Sequence, residues 1–422
     1  MNQIDPSTRP QKRSASYILR NVIAAAVIGV CTKVGPGSVV SAATAGAQYR
    51  YQFMWWLVVI ALFNAFFVTA GYKFALSTKK DFMTAIRERF GNAASIICGV
   101  LMIIGFVIFS ISNFTGVGLA INILFPFIPR KVASIIALIA VMALTWFVKN
   151  YYRKIAKISS YLILIITLIF IITVAALGGP NWLELGKGFI PTLAPNAAGI
   201  SPIALMMSIF GTSAGATSAI FTSWQVCETT ELTEDDLHNG VIMWDVIVRN
   251  VALVLLTACM ICAGAIVLNP QGLRVSSGAD LVAIFEPVLG SVMGRYLFGI
   301  GFLGCSIMPY CMAPRMAATI FAKSAGLEAD MDKPFSKIFV TVVMLIAAAV
   351  GMVSSAPPAQ LMVISQLGST IANPVIGLLI IYFVSSSKWM GKYKVKPWYT
   401  ICMFLLYLII VYSTYRTLVS FF

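Results

Sequence analysis

Charge is scarce in this chain. Only 11% of its 422 residues are charged, whereas soluble globular chains average about 25%. Acids are the scarcer sign, with 15 Asp and Glu against 30 Lys and Arg. The one histidine, His238, stands in an acidic segment, which excludes a histidine-rich metal site. Eight cysteines fall mostly within apolar runs. Cys259 and Cys262 form a CxxC with no second pair nearby, the pattern of small apolar filler rather than of a metal or redox centre. Long polar stretches are missing too, so no loop can hold a soluble domain. The polar, basic first 17 residues are not followed by a short apolar core with a small-residue cleavage site, so no removed signal peptide is expected.

Apolar residues make up 59% of the chain and recur in runs of membrane-spanning length. Eleven spans are predicted, near 20–47, 52–76, 94–125, 132–149, 157–178, 200–227, 241–267, 293–322, 337–355, 360–385 and 398–420. This is an all-α integral membrane protein by composition. With the N-terminus inside, twenty basic residues fall in cytoplasmic segments and seven outside, from Arg50 to Arg416. That asymmetry predicts a cytoplasmic N-terminal tail (1–19), an outside C-terminus and a multi-pass protein of the cell membrane. The basic residues lie in short segments between spans, which reads as topology and excludes nucleic acid as a partner. One inside segment, residues 228–236, is acidic, and Thr233 is expected to cap the helix that follows it.

Two spans are interrupted by glycine. The first carries Thr32-Lys33-Val34-Gly35-Pro36-Gly37-Ser38, the sixth Gly211-Thr-Ser-Ala-Gly-Ala-Thr-Ser218. Glycine and proline there break a regular helix, and broken backbone at membrane depth is tolerated only where protein buries it or it lines a wet cavity. Spans one to five (about 20–178) and six to ten (about 200–385) each open on such a helix. This is the mark of a five-plus-five inverted repeat with a site between the broken helices. Residues 386–422 add a loop and a peripheral eleventh helix.

The breaks free carbonyls, which suit cations, and amides, which suit anions. Their side chains are small and neutral: Gly35, Ser38, Ser213, Gly215 and Thr217. Transition metals prefer soft or imidazole ligands, and magnesium or manganese carboxylates; neither stands at these positions. Close helix packing is the structural alternative for such residues. Four further ionisable residues lie at membrane depth, Lys33, Asp245, Arg249 and, behind Pro314, Arg315; the first three are coupling or charge candidates. Lys33 could reach a distant carboxylate, snorkel to the surface, meet an anionic substrate or serve proton coupling. Asp245 and Arg249, at i and i+4, face each other and can neutralise one another.

Gly35-Pro36-Gly37-Ser38, followed by Ala45-Gly46-Ala47-Gln48-Tyr49 and Trp55, resembles the first broken helix of the natural-resistance-associated macrophage protein (NRAMP) family, whose pattern is DPGN. Further likeness lies in 116–125, 298–303, Ser365-Gln366 and Pro374. The resemblance implies the leucine-transporter fold with helices 1 and 6 broken, and secondary transport by alternating access. It also implies a list of departures. Family members bind manganese or iron through Asp and Asn of DPGN, which here stand as Gly35 and Ser38. The family's MPH motif stands as Gly215, Ala216 and Thr217, a second histidine as Thr222, and acids on the proton path as Ser110 and Asn113; Gln366 is kept. The sequence therefore predicts a carrier rather than an enzyme. It would have lost its transition-metal site and would move a small polar organic solute such as an amino-acid-like carboxylate or a sugar. The candidate substrate-binding residues are Gly35, Ser38, Ser213, Gly215, Thr217 and Gln366. No cofactor and no resident metal are expected; a proton or sodium ion is the candidate coupling partner, and a monomer suffices. The alternative is a divergent manganese or magnesium transporter, with proton coupling an option. A non-transporting sensor or scaffold is the third reading.

Overall fold

A computed structural model describes residues 34–149, 151–192, 200–229 and 232–419. Lys33 and the first half of span one lie outside the described residues. We label the main helices α1 (Pro36–Tyr49), α2 (Met54–Thr78), α3 (Phe82–Leu124), α4 (Arg130–Phe147), α5 (Tyr151–Ala176), α6 (Pro202–Ser213), α7 (Thr217–Thr229), α8 (Val241–Ala263), α9 (Glu286–Ala325), α10 (Pro334–Val353), α11 (Pro358–Leu367), α12 (Asn373–Ser385) and α13 (Pro397–Val419). Among the described residues ten helical segments are long and apolar enough to cross a membrane, with α6–α7 and α11–α12 each counted as one. These ten correspond to predicted spans two to eleven; of span one the structure describes only the second half, α1. Their outer faces are apolar, as at Ile139, Leu164 and Leu345, each about half exposed, which is what a lipid solvent allows.

Two boundaries differ from the sequence reading in the same way. Spans three and eight begin earlier, at Phe82 and Glu286. In each, a short leading helix turns at a glycine with positive φ, Gly91 (φ 86°) or Gly290 (φ 71°). Only glycine adopts that backbone cheaply. The leading stretch Phe82–Phe90 carries charge, so hydropathy alone passes over it. The same device at the same place in both halves is the internal repeat seen in three dimensions.

Helix α1 is packed at the centre against α6, α8 and α11. Its contact with α8 is backbone to backbone. A Cβ on Gly46 would collide with the Ile261 carbonyl oxygen, and one on Gly264 would stand 2.5 Å from the Ala43 oxygen. Small residues permit that approach. Helix α9 runs along α3 and α5, and α13 lies on the outside against α12 and α2. At one end of the molecule a short helix, Trp182–Lys187, covers the turn between α1 and α2. There Arg50 pairs with Glu184 (3.0 Å), and the Trp55 N–H donates to the Gly188 carbonyl (2.9 Å).

Thr233 caps the element that follows it, as expected, but that element is not the seventh span. Thr233 opens a separate single turn, Glu234–Leu237, where its N–H donates to Asp236 Oδ2 (2.9 Å). Helix α8 starts later, after Gly240 (φ 85°). A glycine in the left-handed region stops one element and starts the next, so the cap cannot reach across it.

Candidate functional site

The first break is built by Gly35-Pro36-Gly37. Gly35 is extended (φ −96°, ψ 172°), and Pro36 opens α1 as its first residue. Proline fits there because its missing N–H would have had no helical partner. The Ser38 hydroxyl turns back and accepts from the Gly35 N–H (3.3 Å). Gly116 on α3 leaves room for the Pro36 ring, and Gly37 leaves room for the Gln366 side chain.

Three buried polar side chains gather at this break. Asn113 on α3 and Gln366 on α11 are both fully buried. A Cβ at Gly35 would lie 3.5 Å from Asn113 Oδ1 and 3.8 Å from Gln366 Nε2. Gln366 Nε2 donates to Ser112 Oγ on α3 (2.8 Å). The remaining polar atoms are unpaired: Gln366 Oε1, Asn113 Oδ1 and Asn113 Nδ2 have no hydrogen-bond partner among the described residues. A buried polar group left so costs about 1–3 kcal/mol, and native proteins keep few of them.

The second break runs from Ala214 to Ala216, between α6 and α7. Ala214 is extended (φ −142°, ψ 164°) and ends α6. The tenth span reaches both breaks because it is itself discontinuous, turning through Gly368–Thr370 between α11 and α12. Before the turn, Gln366 addresses the first break. After it, the Asn373 Oδ1 accepts from the freed Ala216 N–H (2.9 Å), and a Cβ on Gly215 would sit 3.4 Å from that oxygen. Within the turn, Ser369 Oγ donates to the Gly211 carbonyl (2.6 Å). Ser213 is 1% exposed and its Oγ is unpartnered among the described residues. Further along, Ser41 and Ser208 hydroxyls meet at 2.6 Å and tie α1 to α6.

Of the residues singled out from sequence, Gly35 and Gln366 come together. Gly215 and Thr217 lie at the second break, where Thr217 Oγ1 would be 3.4 Å from a Cβ on Gly215. Ser38 is occupied with its own helix. Asp245 and Arg249 do pair (2.9 Å) and close a buried triad with Tyr72. The Tyr72 hydroxyl donates to Asp245 Oδ2 (2.8 Å) and accepts from Arg249 Nη2 (3.3 Å). That triad fastens α2 to α8, and each member is satisfied within it. Asn373, Ser369 and Ser112 escaped the sequence reading. The signal for the first two was the polar interruption Gly368-Ser-Thr and the Asn-Pro step at 373–374, a turn signature inside an apolar run.

At the basic end, Lys323 on α9 reaches both Glu228 and Asp81, the latter at 3.8 Å. A hollow of about 430 Å³ opens beside it, lined by Glu228, Lys323 and residues 326–330. It is a loop-side concavity and shares no residue with the breaks.

The family described as natural resistance-associated macrophage protein-like matches residues 25–420. The chain belongs to the NRAMP family. Several relatives of this family match along most of their length. The divalent metal cation transporter MntH of Staphylococcus haemolyticus is 23% identical over 394 residues, 89% of this chain and 86% of that one. A crystal structure of a manganese transporter mutant from Eremococcus coleocola superposes with a TM-score of 0.77 at 19% identity, covering 98% of this chain and 89% of that chain. The fold extends beyond the NRAMP proteins: the structure of MhsT in complex with L-phenylalanine gives a TM-score of 0.57 at 14% identity over 94% of this chain and 98% of that one. The leucine-transporter-type fold expected from the resemblance is therefore observed, and the NRAMP family is one of multi-pass membrane transporters.

Proposed function

We propose that this NRAMP-family chain is a secondary active transporter whose cargo is a divalent metal cation, met at the broken helices by neutral oxygens while the ion keeps part of its water. The sequence alone had favoured an organic solute. The names of the relatives, manganese and divalent metal cation transporters, move the divalent ion ahead. The observation that carries the reading is the buried acceptor Asn113 Oδ1 left without a donor beside Gly35, with Gln366 Oε1 on the neighbouring carboxamide likewise unpartnered among the described residues. Neutral oxygens suit hard cations, and magnesium in particular surrenders its water reluctantly. With no carboxylate at Gly35 or Ser38, the oxygens would grip a hydration shell rather than a bare ion.

A small polar organic solute is the second reading, and one observation favours it. Asn113 Nδ2 is unpartnered as well; an N–H donor repels a cation and suits a solute's oxygen. Purified protein in liposomes separates the two. Saturable manganese or magnesium uptake, lost in Gln366→Ala, is the expected result. Absence of metal flux, with stabilisation of the protein by a neutral solute in a thermal panel, would transfer the assignment to the organic cargo.

A further inference from the structure

Helices α3 and α9 pack along one another, while α7 lies mainly on α2 and meets α3 lightly. Both pairs are close. A Cβ on Gly99 of α3 would stand 2.6 Å from the Ser324 Cβ of α9, and one on Gly71 of α2 would stand 2.7 Å from the Ala219 carbonyl oxygen of α7. Two tightly packed pairs therefore share a thinner seam, and α7 starts at the second break, after Ala216.

Along that seam a column of contacts runs from the first break to the basic end. The Phe109 ring lies 3.8 Å from where a Cβ on Gly35 would be. One turn earlier on α3, Phe106 meets Phe109 edge-on at 6.4 Å and the Phe221 ring of α7 at 5.5 Å between centres. Past Phe221 lies a cavity of only about 10 Å³, whose walls include Asp81, Ile220, Trp224, Thr319 and Lys323; it has room for a single water at most. Past that cavity is the open hollow of about 430 Å³. Lys323 lines both spaces and so forms the partition between them. Its ammonium reaches from α9 to Glu228 near the end of α7, with Asp81 3.8 Å away at the start of α3. Asp81 is already held by the Thr84 N–H (3.0 Å) and hydroxyl (2.9 Å), so the pair with Glu228 is the one that spans the seam. One hydrogen bond crosses beside it, from the Phe82 N–H to Ser223 Oγ (3.2 Å). The side chains of Lys323 and Glu228 are 19% and 37% exposed. Water can replace each partner, so the pair can part without stranding a buried charge. The Asp245–Arg249 pair, 7% and 13% exposed, cannot.

We propose that Lys323 is the latch of a gate at the basic end: its pair with Glu228 holds α7 against α3 and α9 and shuts the route that runs from Gly35 past the three rings to the hollow. The inference rests on the chain being a transporter and not on which cargo it carries. The test is labelling of Ile220→Cys, in the wall of the small cavity and 3% exposed, by a water-soluble maleimide in nanodiscs. Mass spectrometry reads that one peptide, with no cargo present. K323Q and E228Q should each raise the labelling rate by about twofold to fivefold, the range a partly exposed ion pair supports. K333Q, which breaks the neighbouring pair with Glu328, should leave it unchanged. Native Cys311, buried on α9, reports loosening of the whole fold and should stay protected throughout. If Ile220→Cys does not fold, Thr319→Cys in the same cavity takes its place. A merely structural tie would lower the melting temperature of K323Q and E228Q and leave the labelling rate where it was. That result, an equal rise in K333Q, or labelling of Cys311 in parallel would each overturn the latch. Because the readout needs no cargo, such a failure is distinct from a failure of metal uptake, which would leave the latch standing.

Discussion

Gly37 and Gly35 look interchangeable in sequence and are not in space, which makes them a matched test of the break. A Cβ added at Gly37 would overlap the Gln366 side chain, with Cδ only 2.5 Å away. Gln366 is fully buried and cannot move aside without giving up its bond to Ser112. Overpacking costs about 1–3 kcal/mol and the lost hydrogen bond about 1 kcal/mol. Replacing a helical glycine by alanine returns about 1 kcal/mol. Gly37→Ala is therefore expected to destabilise by about 1–3 kcal/mol and to depress transport through the displaced carboxamide. At Gly35 the nearest heavy atoms would be 3.5–3.8 Å away, and the backbone is ordinary extended chain. Gly35→Ser keeps a good N-cap residue, so its stability should stay within about 0.5 kcal/mol of wild type. The two variants would be compared by thermal unfolding in one detergent and by uptake in liposomes. A Gly37→Ala protein as stable as wild type, or a Gly35→Ser protein the weaker of the two, would refute the placement of Gln366 against α1.

Other outcomes follow from the packing and the charges. Gly46→Ala sets a Cβ against the Ile261 carbonyl and 2.9 Å from the Ala265 nitrogen. Because backbone cannot swing away, its loss of folded yield in detergent should exceed that of Gly37→Ala. Asp245→Asn leaves the Arg249 guanidinium buried beside Tyr72 without its counter-ion; breaking such a pair costs about 3–5 kcal/mol. Asp245→Asn combined with Arg249→Met should recover part of the lost melting temperature. In the loop helix Gly278–Val282, burial pushes the Asp280 carboxyl up, but hydrogen bonds from the Ser276 and Ser277 N–H and hydroxyl groups outweigh it and hold the carboxyl below its ordinary range. Its contribution to stability is present above the unfolded carboxylate range, about pH 4, and is lost as pH falls through the lower folded value. Asp280→Asn should thus lower the melting temperature at pH 7 and converge with wild type in strong acid.

How much of this was legible beforehand follows from the range over which each cause acts. Spanning is local: about twenty apolar residues in a row cross a bilayer wherever they occur. Spans two to eleven and the breaks at Gly35 and Gly215 could therefore be read directly. The i, i+4 pair of Asp245 and Arg249 is local as well, and its 2.9 Å bond was foreseeable. Its third member, Tyr72, was not, because it arrives on another helix. The leading stretch before Gly91 was missed because its charge hides it from hydropathy, and the one before Gly290 because it is only a turn long, although both glycines were in plain view.

The polar cluster required the tertiary structure. Asn113 and Gln366 are more than 250 positions apart and meet only because α3 and α11 flank the same broken helix; no period or spacing encodes that. The chain signals the turn at Gly368–Thr370, but not that Gln366 before it serves one break and Asn373 after it the other. The sequence by itself determined that this is a membrane-spanning bundle with two interrupted helices and few charges to spend inside it, since each follows from the solubility of short stretches in lipid. Only the tertiary structure decided which neutral groups surround the interruptions and which are left unpaired, because pairing depends on neighbours brought from distant parts of the chain.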